Sequence, residues 1–412
     1  MGRNKKYKGY TSFQYLEPEV DYQVFRLVKE IDRVEPYVVP LTKTEKERVE
    51  EIIEKNILVD LHAHPILWPE DTSQTFDYNR QARNFTAYKA LSVSGLDAVF
   101  DNLLDGLLLS ASKRGWKFDE VVYDIGMRLS DIAHQEFVVH GKRVEDIIDA
   151  HKTGKLALVF TVEGAAPIEN EVDRIDVLYG LGVRSLGITY SESNMLGTGM
   201  ADNDLGGGLT DFGYDCVKRM NKLGMLIDIA HCAEQTCLDT IEASYKPIYN
   251  SHSGPASIAR GHVNEDETLL ALAEKDGLLG VGGAGRGLST LKNPIGSIDS
   301  YMECVEYCIE LMGIDHVGCG PDTMYGDHQG LYHAMGERRR REGFGHFIRP
   351  TKPPRPRRFE FDPSDDPGYV RGLENPSDFH NIPRWLVKNG YSDEEIIKII
   401  GGNGLRLLKA VL

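Results

Sequence analysis

The sequence predicts an α/β fold, a (β/α)8 barrel of the TIM type, and three observations carry that prediction. Short apolar runs alternate with amphipathic segments along most of the 412 residues. Eight such runs read as strands: Ile57–Leu61, Leu96–Phe100, Leu156–Thr161, Ser185–Thr189, Met225–Ile229, Ile248–Asn250, Leu278–Val281 and Val317–Cys319. The third observation is chemical. Histidines and carboxylates fall just after these runs, where a barrel of this type gathers its reactive groups.

The elements follow in order. Residues 1–43 are polar and mixed, with a helical pattern over Tyr22–Ile31 and a Pro-containing link, VEPYVVPL, and read as an N-terminal arm. From Thr44 the segment TEKERVEEIIEKN predicts a helix that runs into the first strand, so the barrel domain is expected over 44–412. Further helices are expected at Phe118–His134, Thr210–Leu223, Ala233–Ala243, Glu265–Lys275 and Ser297–Met312. After the eighth strand, residues from about 326 to 368 are rich in Gly, Pro and Arg without periodicity, which marks a long insertion. A capped helix, Ser392–Ile400, and a Gly-Gly-Asn-Gly turn into Leu405–Val411 complete the chain.

Bulk properties exclude several classes. Hydrophobic residues make up 41% and charged residues 27%, as in an ordinary globular chain. The net charge of -16 speaks against a nucleic-acid partner. No run approaches the roughly 20 apolar residues of a membrane span, and the basic start is not followed by the apolar stretch of a signal peptide. Six cysteines are scattered without CxxC pairs and read as reduced, buried thiols of a cytoplasmic protein.

The first strand ends in ILVDLHAHP, which sets His62 and His64 two residues apart, a spacing that sends both imidazoles to one face of a strand. LALVFTVEG ends with Glu163, MLIDIAH with His231, PIYNSH with His252 and VGCGPD with Asp322. Histidine with carboxylate and no thiolate suits Zn2+, with Mn2+ or Fe2+ fitting less well. Four imidazoles and a bridging glutamate would serve two ions, and water activated there would attack a polarised carbonyl. A single histidine at a strand end is more often a structural residue, and the chain has 13. The constellation carries the reading: His62, His64, Glu163, His231 and His252 as metal ligands, with Asp322 beside them. His134, His140, His151 and His380 lack a partner pattern and read as surface or packing residues, and His316, preceding a strand, as structural.

The motifs DLHAHP, VEGA, GLTDFGYDCVKRMNKLGMLIDIAH, YNSHSGPASI, GIDHVGCGPD and GYSDEEIIKIIGGNGLRLL resemble the renal (membrane) dipeptidase family of zinc peptidases, among the amidohydrolase-like barrels. The resemblance runs from about Lys55 to the C-terminus, omitting the insertion. It implies a binuclear zinc site bridged by Glu163, with His231 and His252 on the second ion and Asp322 as the acid/base. It also implies a small-molecule substrate and suggests a homodimer.

The chain departs from that family pattern in three places. His64 stands where the family usually has an aspartate, near which a dipeptide's amino group would be held. Val263-Asn264 stands where an Arg-Asn pair grips the substrate carboxylate, and Arg260 lies three residues earlier. Tyr190 stands where some members place a histidine on the scissile carbonyl, and a phenol can donate the same hydrogen bond. Losing a bidentate Arg–carboxylate contact removes roughly 1.5–3 kcal/mol. The expected activity is therefore hydrolysis of an amide or peptide-like C–N bond in a small substrate other than an ordinary free dipeptide, unless the insertion supplies new anchors. His328, His333 and the run Arg338–Arg341 follow Asp322 closely enough to reach the mouth, although such a run reads first as a solvated face. Two other readings stay open: the same site acting on a lactone or an activated C–C bond, and a catalytically silent binding protein.

Overall fold

The computed structural model describes residues 6–81, 83–103, 117–283, 288–328, 330–331, 334 and 369–412. Eight strands follow one another around a parallel sheet in chain order. They are β1 (Val59–Leu67), β2 (Ala98–Leu103), β4 (Leu156–Val162), β5 (Ser185–Gly187), β6 (Leu226–Asp228), β7 (Tyr249–Pro255), β9 (Leu278–Val281) and β10 (Val317–Cys319). Three short strands are added: β3 (Val138–His140) beside β4, β8 (Val263–Asn264) beside β7, and β11 (Thr323–Tyr325) beside β1.

The ring closes through a split eighth strand. β10 pairs with β9, as Val317 with Leu279 and Cys319 with Val281. After Gly320, Pro321 and Asp322 the chain resumes as β11, which pairs with β1 as Ala63 with Thr323. The Asp322 N–H donates to His62 O at 3.1 Å within the break. An aspartate that the sequence places at a strand end is thereby lodged between two halves of one strand.

Every expected strand exists, with ends shifted by up to six residues. β1 and β7 run well beyond the expected ends, so His62, His64 and His252 lie within strands. The helix expected from Thr44 spans Lys43–Lys55, and Thr42 and Glu45 cap it reciprocally. Phe118–Ala133, Asp211–Leu223, Glu234–Ala243, Asp266–Glu274 and Ile298–Met312 match the other expected helices within a residue. Glycine-capped ends such as Gly154 and Gly224, both left-handed, turn two helices into the next strand.

One element differs in kind. Residues 22–31 are extended rather than helical: Leu27 bridges Pro69, Val28 N donates to Trp68 O, and Glu70 N donates to Arg26 O. Backbone groups that pair with the end of β1 are unavailable for a helical ladder, so tertiary pairing overrides the local pattern. Earlier in the N-terminal arm, Tyr10 O–H and Phe13 N–H both donate to Asp131 Oδ1 on the Phe118–Ala133 helix.

Val59, Leu61, Phe100, Val159, Tyr249 and Leu278 form one buried cluster with Leu407 of the last helix, Asn403–Val411. Their neighbours Leu58, Val99, Leu158 and Leu279 belong to a second cluster shared with the surrounding helices. This alternation is what strands enclosed on both faces require. All six cysteines are free and buried. Among the described residues no helix is long and apolar enough to cross a membrane. His333, the run Arg338–Arg341 and most of the expected insertion lie outside the described residues.

Candidate metal centre

The two histidines of β1 reach the interior because the strand is irregular. Val59 and Leu61 face the inner cluster, whereas Ala63 belongs to the helix-facing one. The facing switches where the register with β2 shifts, between Asp60 and Ala63. Such a bulge re-aims side chains, and here it brings His62 and His64 in after Leu61. Their rings lie 5.3 Å apart and nearly perpendicular.

Six residues converge. Nε2 of His62 and Nε2 of His64 lie 3.4 and 3.3 Å from Asp322 Oδ1. On the other side, Glu163 Oε1 lies 2.9 Å from His231 Nε2 and 3.6 Å from the Nε2 atoms of both His62 and His252. The Nε2 atoms of His231 and His252 are 3.0 Å apart. Gly187, at the end of β5, lets its backbone close on the Glu163 carbonyl, where any side chain would collide. All six residues are buried.

Hydrogen bonds behind the cluster set the ring faces. His64 Nδ1 donates to Asn102 O at 3.3 Å, and the Nδ1 atoms of His62 and His252 meet Ser251 Oγ at 3.3 and 2.9 Å. Held through Nδ1, these imidazoles turn Nε2 lone pairs inward, as metal-ligating histidines do. Asn102 Nδ2 donates to Glu163 Oε2 at 2.7 Å and leaves Oε1 to the imidazoles. His62 Nε2 is buried without a hydrogen-bond partner. A borderline cation answers that orphan and the donor set as a whole.

Electrostatics agree. Burial works against ionisation of Asp322, but the His62 and His64 imidazoles beside its Oδ1 outweigh it and hold the carboxyl well below the usual range. Glu163 is lowered in the same way, burial being outweighed by His231 and the other imidazoles. Burial pushes His252 well below its ordinary value, which favours the neutral imidazole. His231 and Asp322 both hold positive φ, 61° and 59°. Such backbone is uncommon outside glycine and concentrates at functional sites.

Three groups could each hold a cation, with one ligand atom per residue and all within 4.8 Å of one another: His62, His64 and Asp322; His62, Glu163 and His252; and His231, His252 and His262. His262 is the residue that sequence reasoning missed. Its ring stacks on His231 at 4.2 Å and 14°, and its Nε2 accepts the His231 backbone N–H at 3.0 Å. It is placed by the β7–β8 pairing and by Asn264, whose Oδ1 accepts from Asn250 and Ser253 at 2.9 and 2.8 Å. The clue available in sequence was only its nearness to His252, within the segment already compared for its missing arginine.

The remaining candidates divide. Tyr190 packs its ring on His231 at 4.3 Å. Arg260 sits two residues before His262, its N–H on Ser289 O at 3.2 Å and its Nη2 buried. His328 is near the mouth, its ring 6.5 Å from His64, and burial pushes it down to about 4. His316 bonds Gly277 O, His140 bonds Gly182 O, His151 pairs with Asp97, His380 bonds Ser377 O and His134 stacks on Tyr15. None of these five belongs to the three groups.

A family model described as membrane dipeptidase, peptidase family M19, matches residues 46–335. The dipeptidase tcpJ of Claviceps purpurea is 24% identical over 273 residues, 65% of this chain and 54% of that protein, so the chain spans about half the length of that relative. Among solved structures, an amidohydrolase from Pseudomonas aeruginosa aligns with a TM-score of 0.68 and 22% identity, covering 88% of this chain and 98% of that one. A metallo peptidase from Rhodobacter sphaeroides, liganded with a phosphinate mimic of the dipeptide L-Ala-D-Ala, aligns at 0.65 and 16%, covering 87% and 100%.

Proposed function

Because the chain belongs to the membrane dipeptidase family, peptidase family M19, we propose that it is a zinc-dependent hydrolase cleaving an amide or peptide-like C–N bond, with ordinary free dipeptides not its preferred substrates. The observation that carries this reading is the convergence of four histidine Nε2 atoms on two carboxylate oxygens, Glu163 Oε1 and Asp322 Oδ1.

His62 and His64 would hold one ion and His231 and His252 a second, Glu163 would serve both, and Asp322 would stand beside the first. When bound, zinc supplies Lewis acidity and makes water nucleophilic near neutral pH. Asp322 is ionised and accepts the proton of the attacking water, then returns it to the leaving amine. The Tyr190 hydroxyl donates to the scissile carbonyl as charge builds on its oxygen. Arg260 orients the substrate from the 256–262 segment. His64 brings no negative charge where a carboxylate would meet a free amino group, and Val263 offers no grip on a free carboxylate; both favour a substrate other than a free dipeptide.

Two measurements test this. The purified chain should contain zinc or take it up, lose activity to a chelator and regain it with zinc. A panel of free dipeptides, aminoacyl amides, N-acyl amino acids and lactones should show turnover of amides over both free dipeptides and lactones. A chain without metal affinity, or one that prefers free dipeptides, overturns the reading.

A further inference from the structure

A cavity of about 20 Å³ adjoins the cluster, lined by Asp322, Thr323, His328, Tyr369, Leu373 and Glu374 among others. That volume admits one water-sized group. Two of its lining side chains are buried and incompletely bonded. Thr323 Oγ1 and Glu374 Oε2 have no hydrogen-bond partner among the described residues. The Glu374 carboxylate is divided in use: its Oε1 pairs with Arg33 from the N-terminal segment. Arg33 lines a neighbouring pocket of about 150 Å³ that Glu374 also borders. The Glu374 side chain is only 5% exposed.

Buried oxygens left unpaired cost about 1–3 kcal/mol each, so such a pair implies an occupant. The occupant must donate hydrogen bonds, be no larger than water, and suit a wall that carries the Asp322 carboxylate and the Glu374 carboxylate, the latter already paired through Oε1 with Arg33. An ammonium group has three donors, that size and the matching charge.

We propose that Glu374 and Thr323 form the subsite for a primary ammonium group of the substrate. This deepens the hydrolase reading and rests on it. His64 leaves no carboxylate at the usual amino position, and Glu374, brought in from residues 369–374, restores one from another wall. With no arginine at Val263, the substrate class becomes an aminoacyl amide: amine free, carboxylate absent.

The test uses two phosphinate mimics of an aminoacyl amide, without a free carboxylate, one with the ammonium and one with a methyl group in its place, titrated calorimetrically into the zinc-loaded full chain. The wild type should bind the ammonium form at least about 10-fold more tightly, the scale of one charge-assisted hydrogen bond. Glu374→Gln and Thr323→Val should each reduce that preference about 10-fold while leaving the methyl form's affinity unchanged. Glu374→Gln touches the Arg33 pair and could disturb folding; Thr323→Val, similar in volume, keeps the test independent of that. Equal binding of both forms by the wild type, or equal loss of both in the variants, overturns the ammonium site alone and marks the cavity as a water site. Binding of neither form by the zinc-loaded wild type overturns the hydrolase reading and the subsite with it.

Discussion

Asn102 Nδ2 donates to Glu163 Oε2 at 2.7 Å, and Asn102 Oδ1 accepts in turn from Thr161 Oγ1 at 3.0 Å. The two residues stand at adjacent strand ends, since β2 and β4 pair Asn102 with Thr161 and Leu103 with Val162. The carboxylate that faces three imidazoles is thus aimed from behind by a residue whose own amide is engaged by Glu163 and Thr161.

Replacing Asn102 by Leu should lower zinc affinity by about 10–100-fold, the usual consequence of losing a partner behind a ligand. Competitive chelator titration measures this. Unaltered affinity would show that Glu163 needs no such support.

Asp322→Asn should reduce kcat by about 10²–10⁴-fold, the range for loss of a general acid–base. Metal content, measured by elemental analysis, should remain near wild type, because the amide oxygen can still occupy the position beside His62 and His64. Loss of metal together with activity would make Asp322 a ligand first.

His262→Phe preserves a ring on His231 but removes the acceptor of the His231 N–H. A backbone N–H left unpaired costs about 1–3 kcal/mol, and a residue at φ 61° depends on its surroundings to hold that conformation. Denaturant unfolding of the metal-free variant should show a loss of that size, and zinc affinity should fall as well. An unchanged midpoint with unchanged affinity would reduce His262 to a packing residue.

Burial raises the Asp124 carboxyl to about 6 from its ordinary 3.8, only partly opposed by Arg128. A raised carboxyl contributes its stability below about pH 4 and loses it as pH rises through about 6. Asp124→Asn, which can keep the bond from Asn84, should therefore match wild type near pH 4 and exceed it by about 2–3 kcal/mol at pH 8. Urea unfolding at both pH values decides it. A difference independent of pH would mean that Asp124 does not titrate in this range.

The eight strands and five of the helices after Asn102 were legible because apolar periodicity is local and the barrel repeats it, whereas the helix Val144–Thr153 was not among those expected. That His62, His64, Glu163, His231, His252 and Asp322 gather toward one end of the sheet was legible for the same reason, although His62, His64 and His252 lie within their strands. A parallel barrel turns all its strand ends to one face, so strand-end residues meet whatever their separation in the chain. Residues 22–31 were not legible, because their helical pattern yields to pairing with Pro69 and Trp68. Nor was His262, whose approach to His231 depends on Asn264 fastening residues 254–264 to β7.

The sequence by itself determined the barrel and the residue types that gather as the candidate site, since both depend on which residue types follow each apolar run. Only the tertiary structure decided how those residues divide. The irregularity in β1 turns His62 and His64 toward Asp322, the break in the eighth strand lodges Asp322 between them, and Asn102 turns Glu163 toward His231 and His252. It also brings Glu374, paired with Arg33 from more than 300 positions away, to the cavity that Asp322 lines. A strand pattern fixes which face a residue takes. Which oxygen meets which nitrogen is settled by bulges, breaks and contacts between distant segments, and local composition does not encode those.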